Sequence, residues 1–451
     1  MSTHIMVSTS GIRGVIGPGL DPIKIAGFTA AYGTVIKKGK VVVGRDSRVS
    51  GEMCKHAVIS ALVSVGIDVV DLGIVPTPTV EIAVTGLKAA GGICITASHN
   101  PSQWNALKFF NNKGEFIDKA FLDKLVKIHE TKSYALKSYI KIGTVTEDFA
   151  WVDRHIKAVV GLPIINKPAI KRRKLKVVVD AVNGAGSDAL PRLLEKLGVK
   201  VIRINCLGNG DFVHQPEPIP KNLTMLANAV KKHRADIGMA CDPDADRLAL
   251  IDEQAQAIGE ELTLALAVKH VLAKKRGQVV VNLSTSRVTE DVAAEAKAKT
   301  FYTPVGEANV VAGMRRHRAV IGGEGNGGVI YPAFHAGRDA LLGAAITASL
   351  LAESGFTVSG LVGTLPKYYT IKQKAPLPQG YEQKVAKMEK AARKSFDNLQ
   401  IDRRDGLRFD FSRGWFQIRK SNTEPIYRLI VETDSNKLSR LIRDEVMTFL
   451  K

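Results

Sequence analysis

The sequence has few cysteines, and they are far apart. Cys54, Cys94, Cys206 and Cys241 are the four cysteines of a 451-residue chain, and no two of them form a CxxC pair. This pattern indicates neither a disulfide framework nor a zinc cage. We therefore expect four small buried residues in a reducing compartment.

Long apolar runs are absent as well. The longest candidate, at 341–352, has about half of the ~20 residues that a membrane-spanning helix needs. The first residues, MSTHIMVSTSGIRG, lack the basic and then apolar order of a signal peptide. The sequence therefore predicts a cytoplasmic protein that does not enter a membrane.

Acidic residues are scarce relative to basic ones. The chain has 64 Lys and Arg against 44 Asp and Glu, which gives a formal net charge of +20. Such a charge attracts nucleic acid or any other polyanion. However, aromatic residues make up only 6%, and the chain has neither zinc-finger spacing nor a helix-turn-helix pattern. The charge therefore favours a phosphorylated small molecule as the partner over nucleic acid.

What the sequence does have is an alternation of short apolar runs and helix-like segments. Runs at 41–43, 177–179 and 279–283 have the length of buried strands, whereas 53–65 and 189–197 have helical spacing. The alternation predicts an α/β fold with mixed or mostly parallel sheets. No repeat is visible letter by letter, but the similar pattern in the first three of four units allows a structural repeat. The expected domains are 1–152, 153–255, 256–367 and a smaller one at 368–451.

One serine lies in a turn directly after an apolar run. We call ITASHNP, at 95–101, the serine loop. Ser, Asn and Pro all favour turns, so an ordinary strand-ending turn would explain the segment. A nucleophile held on a rigid scaffold would explain it equally well, and the segment alone does not distinguish the two.

A second motif places three carboxylates at alternate positions. In CDPDADR, the acidic loop at 241–247, these are Asp242, Asp244 and Asp246. Like charges this close repel unless a cation or basic groups gather them, and oxygen ligands suit Mg²⁺. An EF-hand is disfavoured because Arg247 stands where that loop needs glycine. A solvated acidic turn is the alternative, but the apolar runs on both sides favour a metal site.

A third motif, GGEGNGG, is the glycine-rich loop at 322–328. Five glycines let the backbone approach a ligand closely. Glu324 and Asn326 suit hydrogen bonds to sugar hydroxyls better than contacts to phosphate, and the loop lacks the GK[ST] of a P-loop. A purely structural turn is the alternative.

Two further segments carry groups that suit phosphate. RKSNTEP, the clamp loop at 419–425, combines cationic, hydroxyl and amide groups, and Arg428 follows it. Its alternative is a polar hairpin turn. Near the start, STSGIRG at 8–14 adds Arg13, with a flexible terminal segment as its alternative.

Taken in order, TASHNP, DPDADR, GEGNGG and RKSNTEP resemble the α-D-phosphohexomutase superfamily of phosphoglucomutases, phosphomannomutases and phosphoglucosamine mutases. The motifs cover essentially the whole chain. The resemblance implies an α/β fold with four domains around a central cleft, three similar mixed α/β domains plus a smaller C-terminal α+β domain. It implies an intramolecular phosphotransferase that interconverts hexose 6-phosphate and hexose 1-phosphate through a phosphoserine enzyme and a bisphosphorylated sugar.

The resemblance also implies roles for individual residues. Ser98 would carry the phosphoryl group and would complete a Mg²⁺ site made by the three aspartates of the acidic loop. Hexose 1,6-bisphosphate would be the activator and intermediate, and the protein would be a monomer or a homodimer that binds a phosphosugar. The other catalytic residues would be Arg13, Lys108, Arg247 and His99. The substrate-binding residues would be Glu324, Asn326, Arg419, Ser421, Asn422, Thr423 and Arg428.

One departure from the family pattern concerns proton transfer. Gly328 stands where phosphomannomutases often have a histidine, so His335 or Lys108 is a candidate for that role.

Several alternatives for the substrate and for the function stay open. The segment GEGNGGVIYP followed by GRDA at 337–340 resembles enzymes named phosphoglucosamine mutase, which implies glucosamine phosphate as the substrate, with phosphomannomutase/phosphoglucomutase activity as the alternative. A non-catalytic sugar-phosphate-binding relative is disfavoured because the serine and all three acids are present. A nucleic-acid-binding protein is the remaining alternative, and it rests on net charge alone.

Overall fold

The computed structural model describes residues 5–421 and 426–450. Within them, four sheets follow one another along the chain, and each is the centre of one unit. The predicted α/β class, with three similar units and a smaller last one, is confirmed.

The first unit is built on a seven-stranded mixed sheet. Its elements are β1 (Met6–Ser8), β2 (Gly11–Val15), α1 (Pro22–Ile36), β3 (Lys40–Arg45), α2 (Gly51–Ser64), β4 (Asp68–Ile74), α3 (Thr77–Gly86), β5 (Gly91–Ile95), β6 (Trp104–Phe110), α4 (Lys119–Thr131) and β7 (Val145–Glu147). The strand order is β1-β2-β6-β5-β3-β4-β7. Val41 and Val43 pack against one helical layer and Val42 packs against the other, so β3 is buried on both faces.

The second and third units have four-stranded sheets. The second contains α5 (Trp151–Val160), α6 (Lys167–Arg173), β8 (Lys176–Asp180), α7 (Gly186–Leu197), β9 (Lys200–Ile204), α8 (Thr224–His233), β10 (Ile237–Cys241) and β11 (Leu248–Ile251). The third contains α9 (Glu260–Lys274), β12 (Gln278–Asn282), α10 (Arg287–Glu295), β13 (Thr300–Thr303), α11 (Glu307–His317), β14 (Ala319–Glu324), β15 (Gly328–Ile330), α12 (Ala340–Ser354) and α13 (Val358–Val362).

The three units share one strand order. In β4-β3-β5-β6, β9-β8-β10-β11 and β13-β12-β14-β15, the first three strands are parallel and the fourth is antiparallel. The structural repeat that the sequence allowed is therefore present. The glycine-rich loop is shorter than the sequence suggests. Residues 322–324 belong to β14, and only 325–327 form the turn.

The second and third units share a single apolar core. Helix α12 is buried along almost its whole length and packs between the two units. The side chain of Asp339 accepts hydrogen bonds from the N–H groups of Leu341 and Leu342, and Gly355 ends the helix in the left-handed conformation. The apolar run at 341–352 is therefore the centre of this core.

The fourth unit is an antiparallel sheet covered by two helices. Leu429 and Val431, on an interior strand of this sheet, pack against Val385 and Ile442 of these helices. Its elements are β16 (Tyr369–Pro376), α14 (Tyr381–Ser395), β17 (Gln400–Asp402), β18 (Leu407–Phe411), β19 (Gly414–Lys420), β20 (Ile426–Thr433) and α15 (Asn436–Leu450), with the strand order β16-β20-β19-β18-β17.

The prediction of four buried cysteines is confirmed only in part. All four cysteines are free, and three are buried as predicted, but Cys206 is only half-buried because it follows the edge strand β9. Among the helices of the described residues, none combines the length and the apolar character that crossing a bilayer demands.

Candidate active site

The serine, acidic and glycine-rich loops occupy the same position in the three repeated units. Each one connects the third strand of the repeat to the antiparallel fourth strand, and the clamp loop connects β19 to β20. Open α/β sheets bind ligands at the carboxyl ends of their parallel strands. Residues from all four loops line one cleft of about 650 Å³.

Ser98 lies in the turn after β5 with its hydroxyl directed at the acidic loop. Its Oγ donates to Asp242 Oδ2 at 2.7 Å, and its backbone N–H donates to Thr96 Oγ1 at 2.9 Å. The residue is 3% exposed, and its φ of 48° is uncommon for a residue other than glycine. A strained backbone held by specific contacts favours a positioned hydroxyl over an ordinary turn.

Arg48, which the sequence analysis did not identify, holds the serine loop in place. Its guanidinium donates to four backbone carbonyls at 2.6 to 3.1 Å, and its Nε donates to Asp46 Oδ2 at 2.9 Å. The same carboxylate accepts a hydrogen bond from Thr96 Oγ1 at 2.6 Å. The only sequence signal for this role was the pair of charged residues that follows the buried strand β3. The four carbonyls belong to Ser98, Asn100, Pro101 and Trp104.

The three aspartates of the acidic loop form one buried cluster. Each of Asp242, Asp244 and Asp246 offers an oxygen atom, and these atoms lie within 4.8 Å of one another. Burial raises the pKa of Asp242, and the charges of Asp246 and Asp244 raise it further. The cluster therefore needs positive charge close by.

The cluster fits a hard divalent cation such as Mg²⁺. Asp244 Oδ1 and Asp246 Oδ1 are buried, and neither has a hydrogen-bond partner among the described residues. Buried carboxylate oxygens without partners are costly unless an ion binds them. The donor set is made of oxygen atoms alone, which is the set that Mg²⁺ prefers. The solvated-turn alternative is disfavoured because all three side chains are buried.

Lys108 supplies part of the required positive charge. It lies on β6, the partner strand of β5, and its Nζ donates to Asp244 Oδ2 at 2.6 Å and to Asp246 Oδ2 at 3.2 Å. Burial disfavours its charged form, but the two carboxylates outweigh burial and raise the pKa of Lys108. This lysine is therefore held as an ammonium group.

Arg13, His99 and Arg247 line the cleft around Ser98. Arg13 Nη1 donates to Asn100 Oδ1 at 2.6 Å, which places a guanidinium group on the serine loop. His99 Nδ1 is 3.4 Å from Ser98 Oγ. Burial lowers the pKa of His99 well below its usual value, and Arg247 and Arg13 lower it further, so this imidazole is neutral.

The glycine-rich loop presents Glu324 and Asn326 to the same cleft. Glu324 Oε1 accepts hydrogen bonds from Asn282 Nδ2 at 2.7 Å and from the N–H of Gly306 at 3.0 Å. Asn326 Oδ1 accepts from the N–H of Gly328 at 3.2 Å. The contacts fix both polar groups and leave lone pairs available for sugar hydroxyls.

The fourth unit adds two arginines opposite the serine loop. Arg419 on β19 is directly paired with Arg428 on β20, and both side chains line the cleft. The N–H of Ser421 donates across this hairpin at 2.9 Å. Adjacent guanidinium groups are well suited to an anionic group. The predicted substrate-binding residues Asn422 and Thr423 lie outside the described residues.

His335, a candidate for proton transfer, lies away from the cleft. Its Nε2 is 3.1 Å from Asp339 Oδ2 and its Nδ1 is 3.3 Å from Glu81 Oε2. Both imidazole nitrogens therefore face carboxylates that join the first unit to the third. This placement does not favour His335 for proton transfer, because its side chain is directed into this joint and does not line the cleft. The cleft wall instead contains Arg338, which the sequence analysis did not identify.

A cleft enclosed by three repeated α/β units and a fourth antiparallel unit defines the class of protein as a phosphohexomutase. The family models named phosphoglucomutase/phosphomannomutase match the whole chain in four parts. The α/β/α domains I, II and III match 4–135, 153–256 and 260–369, and the C-terminal domain matches 374–449. The chain therefore belongs to the phosphoglucomutase/phosphomannomutase family.

Individual relatives agree with this assignment. A phosphoglucomutase/phosphomannomutase from Thermococcus kodakarensis is 38% identical over 96% of both chains. A protein named probable phosphoglucosamine mutase from Methanopyrus kandleri is 35% identical over 98% of this chain and 97% of its own. The crystal structure of a phosphoglucomutase/phosphomannomutase family protein from Burkholderia thailandensis superposes with a TM-score of 0.85 at 28% identity, covering 99% of this chain and 98% of that one.

Proposed function

We propose that this phosphohexomutase uses Ser98 as its phosphoryl carrier, requires Mg²⁺ at the acidic loop, and interconverts glucosamine 6-phosphate and glucosamine 1-phosphate. The observation that carries the proposal is the 2.7 Å contact between Ser98 Oγ and Asp242. It joins a fixed hydroxyl from the first unit to a buried acidic cluster of the second.

The contacts of the cleft support a two-step exchange. In the first step, the Oγ–P bond of phosphorylated Ser98 breaks, and a bond forms between phosphorus and one hydroxyl oxygen of the sugar phosphate. The product is a hexose 1,6-bisphosphate. The bisphosphate then reorients in the cleft, the bond between its other phosphorus atom and the sugar oxygen breaks, and a new Oγ–P bond forms on Ser98. The proton that leaves the first sugar oxygen is given back to the second, so the net reaction is an isomerisation.

The charged residues support charge neutralisation as the main source of catalysis. Phosphoryl transfer depends on positioning and electrostatic stabilisation more than on covalent chemistry by the protein. Mg²⁺, when bound, would stabilise negative charge on the transferring group. Arg13, Lys108 and Arg247 would surround the same group. Arg419 and Arg428 would hold the phosphate that is not reacting.

Two observations favour glucosamine phosphate as the substrate. The segment at 337–340 has the form GRDA, and the Methanopyrus kandleri relative carries the name phosphoglucosamine mutase. The Thermococcus kodakarensis relative, named for glucose and mannose phosphates, keeps the second candidate function open. In that case the sugar would carry a hydroxyl group at C2.

A coupled mutase assay tests the proposal. Glucosamine, glucose and mannose 1-phosphates would each be supplied with Mg²⁺ and the matching catalytic bisphosphate. We expect the fastest turnover with the amino sugar, no turnover by Ser98→Ala, and loss of turnover when EDTA removes Mg²⁺. Ser187→Ala is a matched control because Ser187 is equally buried but bonds only to a backbone carbonyl of the second unit. Full activity of Ser98→Ala would contradict the proposal.

A further inference from the structure

Arg338 connects two loops of the cleft through one guanidinium group. Its Nη2 donates to Asp246 Oδ2 at 2.7 Å, and its Nη1 donates to Glu324 Oε2 at 2.9 Å. Its Nε donates to Glu307 Oε2 at 2.9 Å. The side chain is 9% exposed, so these charge-assisted bonds form in an environment of low dielectric. An acid of the acidic loop and the acid of the glycine-rich loop therefore share one partner.

The backbone beside Arg338 leaves room for this side chain. Gly328 lies on β15, and a Cβ atom placed there would be 2.2 Å from Cδ and 2.9 Å from Cγ of Arg338. Contacts below 3.0 Å require a shift of one of the two groups. A side chain at 328 would therefore push on the stem of Arg338, whose guanidinium group holds the three carboxylates. The glycine at this position and the arginine at 338 form one complementary pair.

The remaining contacts of the two acids make Arg338 the shared element between them. Asp246 Oδ2 also accepts from Lys108 Nζ, whereas its Oδ1 has no hydrogen-bond partner among the described residues and lies 3.7 Å from Arg247 Nε. Glu324 Oε1 is held by Asn282 and Gly306, which leaves Oε2 to Arg338. Moving the guanidinium group would therefore change the orientation and the charge balance of both acids together.

We propose that Arg338 is a positioning residue that couples Mg²⁺ binding at the acidic loop to phosphosugar binding at Glu324. The inference rests on the roles assigned under the proposed function. Outer contacts of this type orient metal ligands, and their removal typically weakens metal binding. Since the same guanidinium group orients Glu324, each ligand favours the arrangement that the other one needs.

The first test uses Arg338→Lys and binding calorimetry on dephosphorylated protein, which does not turn over. Lysine keeps the charge but cannot donate to three carboxylates in one plane. We expect the Kd for Mg²⁺ alone to rise about 10- to 100-fold. In the native protein, glucosamine 6-phosphate should lower the Kd for Mg²⁺, and in the variant this effect should be lost. A merely structural role would lower the melting temperature and leave the coupling unchanged.

The second test is Gly328→Ala, which keeps every charged residue of the sequence but should shift the Arg338 side chain. We expect the same loss of coupling as in Arg338→Lys. Gly161→Ala is the matched control, because a Cβ atom at 161 meets nothing closer than 3.4 Å. Gly328→Ala keeps the proposal testable if Arg338→Lys does not fold.

The outcomes separate the two proposals. If the dephosphorylated native protein binds no Mg²⁺, the proposed function and the inference both fail. If it binds Mg²⁺ and glucosamine 6-phosphate with coupling that persists in both variants, only the role of Arg338 is overturned.

Discussion

At the scale of single residues, the position of Ser98 depends on an ion pair that belongs to neither the serine loop nor the acidic loop. Arg48 and Asp46 are buried completely, and together they bind the backbone carbonyls and the Thr96 hydroxyl of the serine loop. A loop held in this way loses little conformational freedom during the reaction. The arrangement explains how a residue with a left-handed backbone conformation keeps one geometry.

Arg48→Met should therefore reduce both stability and turnover. The substitution leaves Asp46 buried without its partner, and breaking a buried ion pair costs about 3–5 kcal/mol. Burial already raises the pKa of Asp46 against the opposing effect of Arg48, so the carboxyl group should take up a proton and limit the loss. Urea unfolding and the mutase assay would measure the two effects.

Arg404→Met is the control for this prediction. Arg404 also pairs with an aspartate two residues away, but its side chain is 53% exposed, so its loss should cost much less. Equal losses of stability in the two variants would contradict the role given to Arg48.

At the scale of secondary-structure elements, the order of strands could not be predicted from the sequence, whereas many of the strands could. Apolar runs such as 41–43 and 177–179 form strands as expected, because buried parallel strands are apolar on both faces. Strand order depends on contacts between distant segments, which local patterns do not encode. The common position of three motif loops in a repeated unit therefore became visible only in the structure.

The residues of the site could also be predicted only in part. Residues from all four motif loops line one cleft because loops after equivalent strands converge, and Ser98 Oγ connects this cleft to the acidic cluster through Asp242. Asn422 and Thr423 lie outside the described residues. Arg48 and Arg338 could not be predicted from the sequence because each contacts a loop that is distant along the chain. Arg338 contacts Asp246 across 92 positions. The position of His335 outside the cleft lining could not be predicted either, because it depends on how α12 begins.

The stabilising contribution of the segment between β15 and α12 should depend on pH. Burial opposes the charged form of His335, but hydrogen bonds to Asp339 and Glu81 outweigh burial and raise the pKa of His335 to about 9. The unfolded value is about 6.5. Because the folded pKa is higher, this stabilisation is complete below pH of about 6.5 and is lost as pH rises through about 9.

His335→Gln should therefore flatten the decline of stability at alkaline pH. We expect the difference in unfolding free energy between the native protein and the variant to shrink as pH rises from about 6.5 to about 9. His56→Gln is the control, since His56 is exposed and lies on the outer surface of α2. A difference that stays constant with pH would show that His335 contributes packing alone.

At the scale of the whole molecule, the cleft gathers charge from all four units. Among the described residues that line it, nine are Lys or Arg and five are Glu. This excess matches the sign of the net charge of +20. A cleft of one predominant sign raises the local concentration of an oppositely charged ligand. Part of the basic excess of the chain thus lies where it would attract a phosphosugar.

Salt should therefore weaken substrate capture more than the chemical step. Raising NaCl from about 0.01 M to about 1 M shortens the screening length from about 30 Å to about 3 Å. We expect KM for glucosamine 1-phosphate to rise steeply over this range at constant free Mg²⁺, with a smaller change in kcat, because contacts inside the closed cleft are screened less. Lys221→Gln, at the exposed edge of the cleft, should reduce the slope of KM against salt. Lys387→Gln, at an exposed position of α14 that does not line the cleft, should leave that slope unchanged. If both variants shift the slope equally, the field of the whole surface attracts the substrate, and the arrangement of charges in the cleft has no special part in its capture.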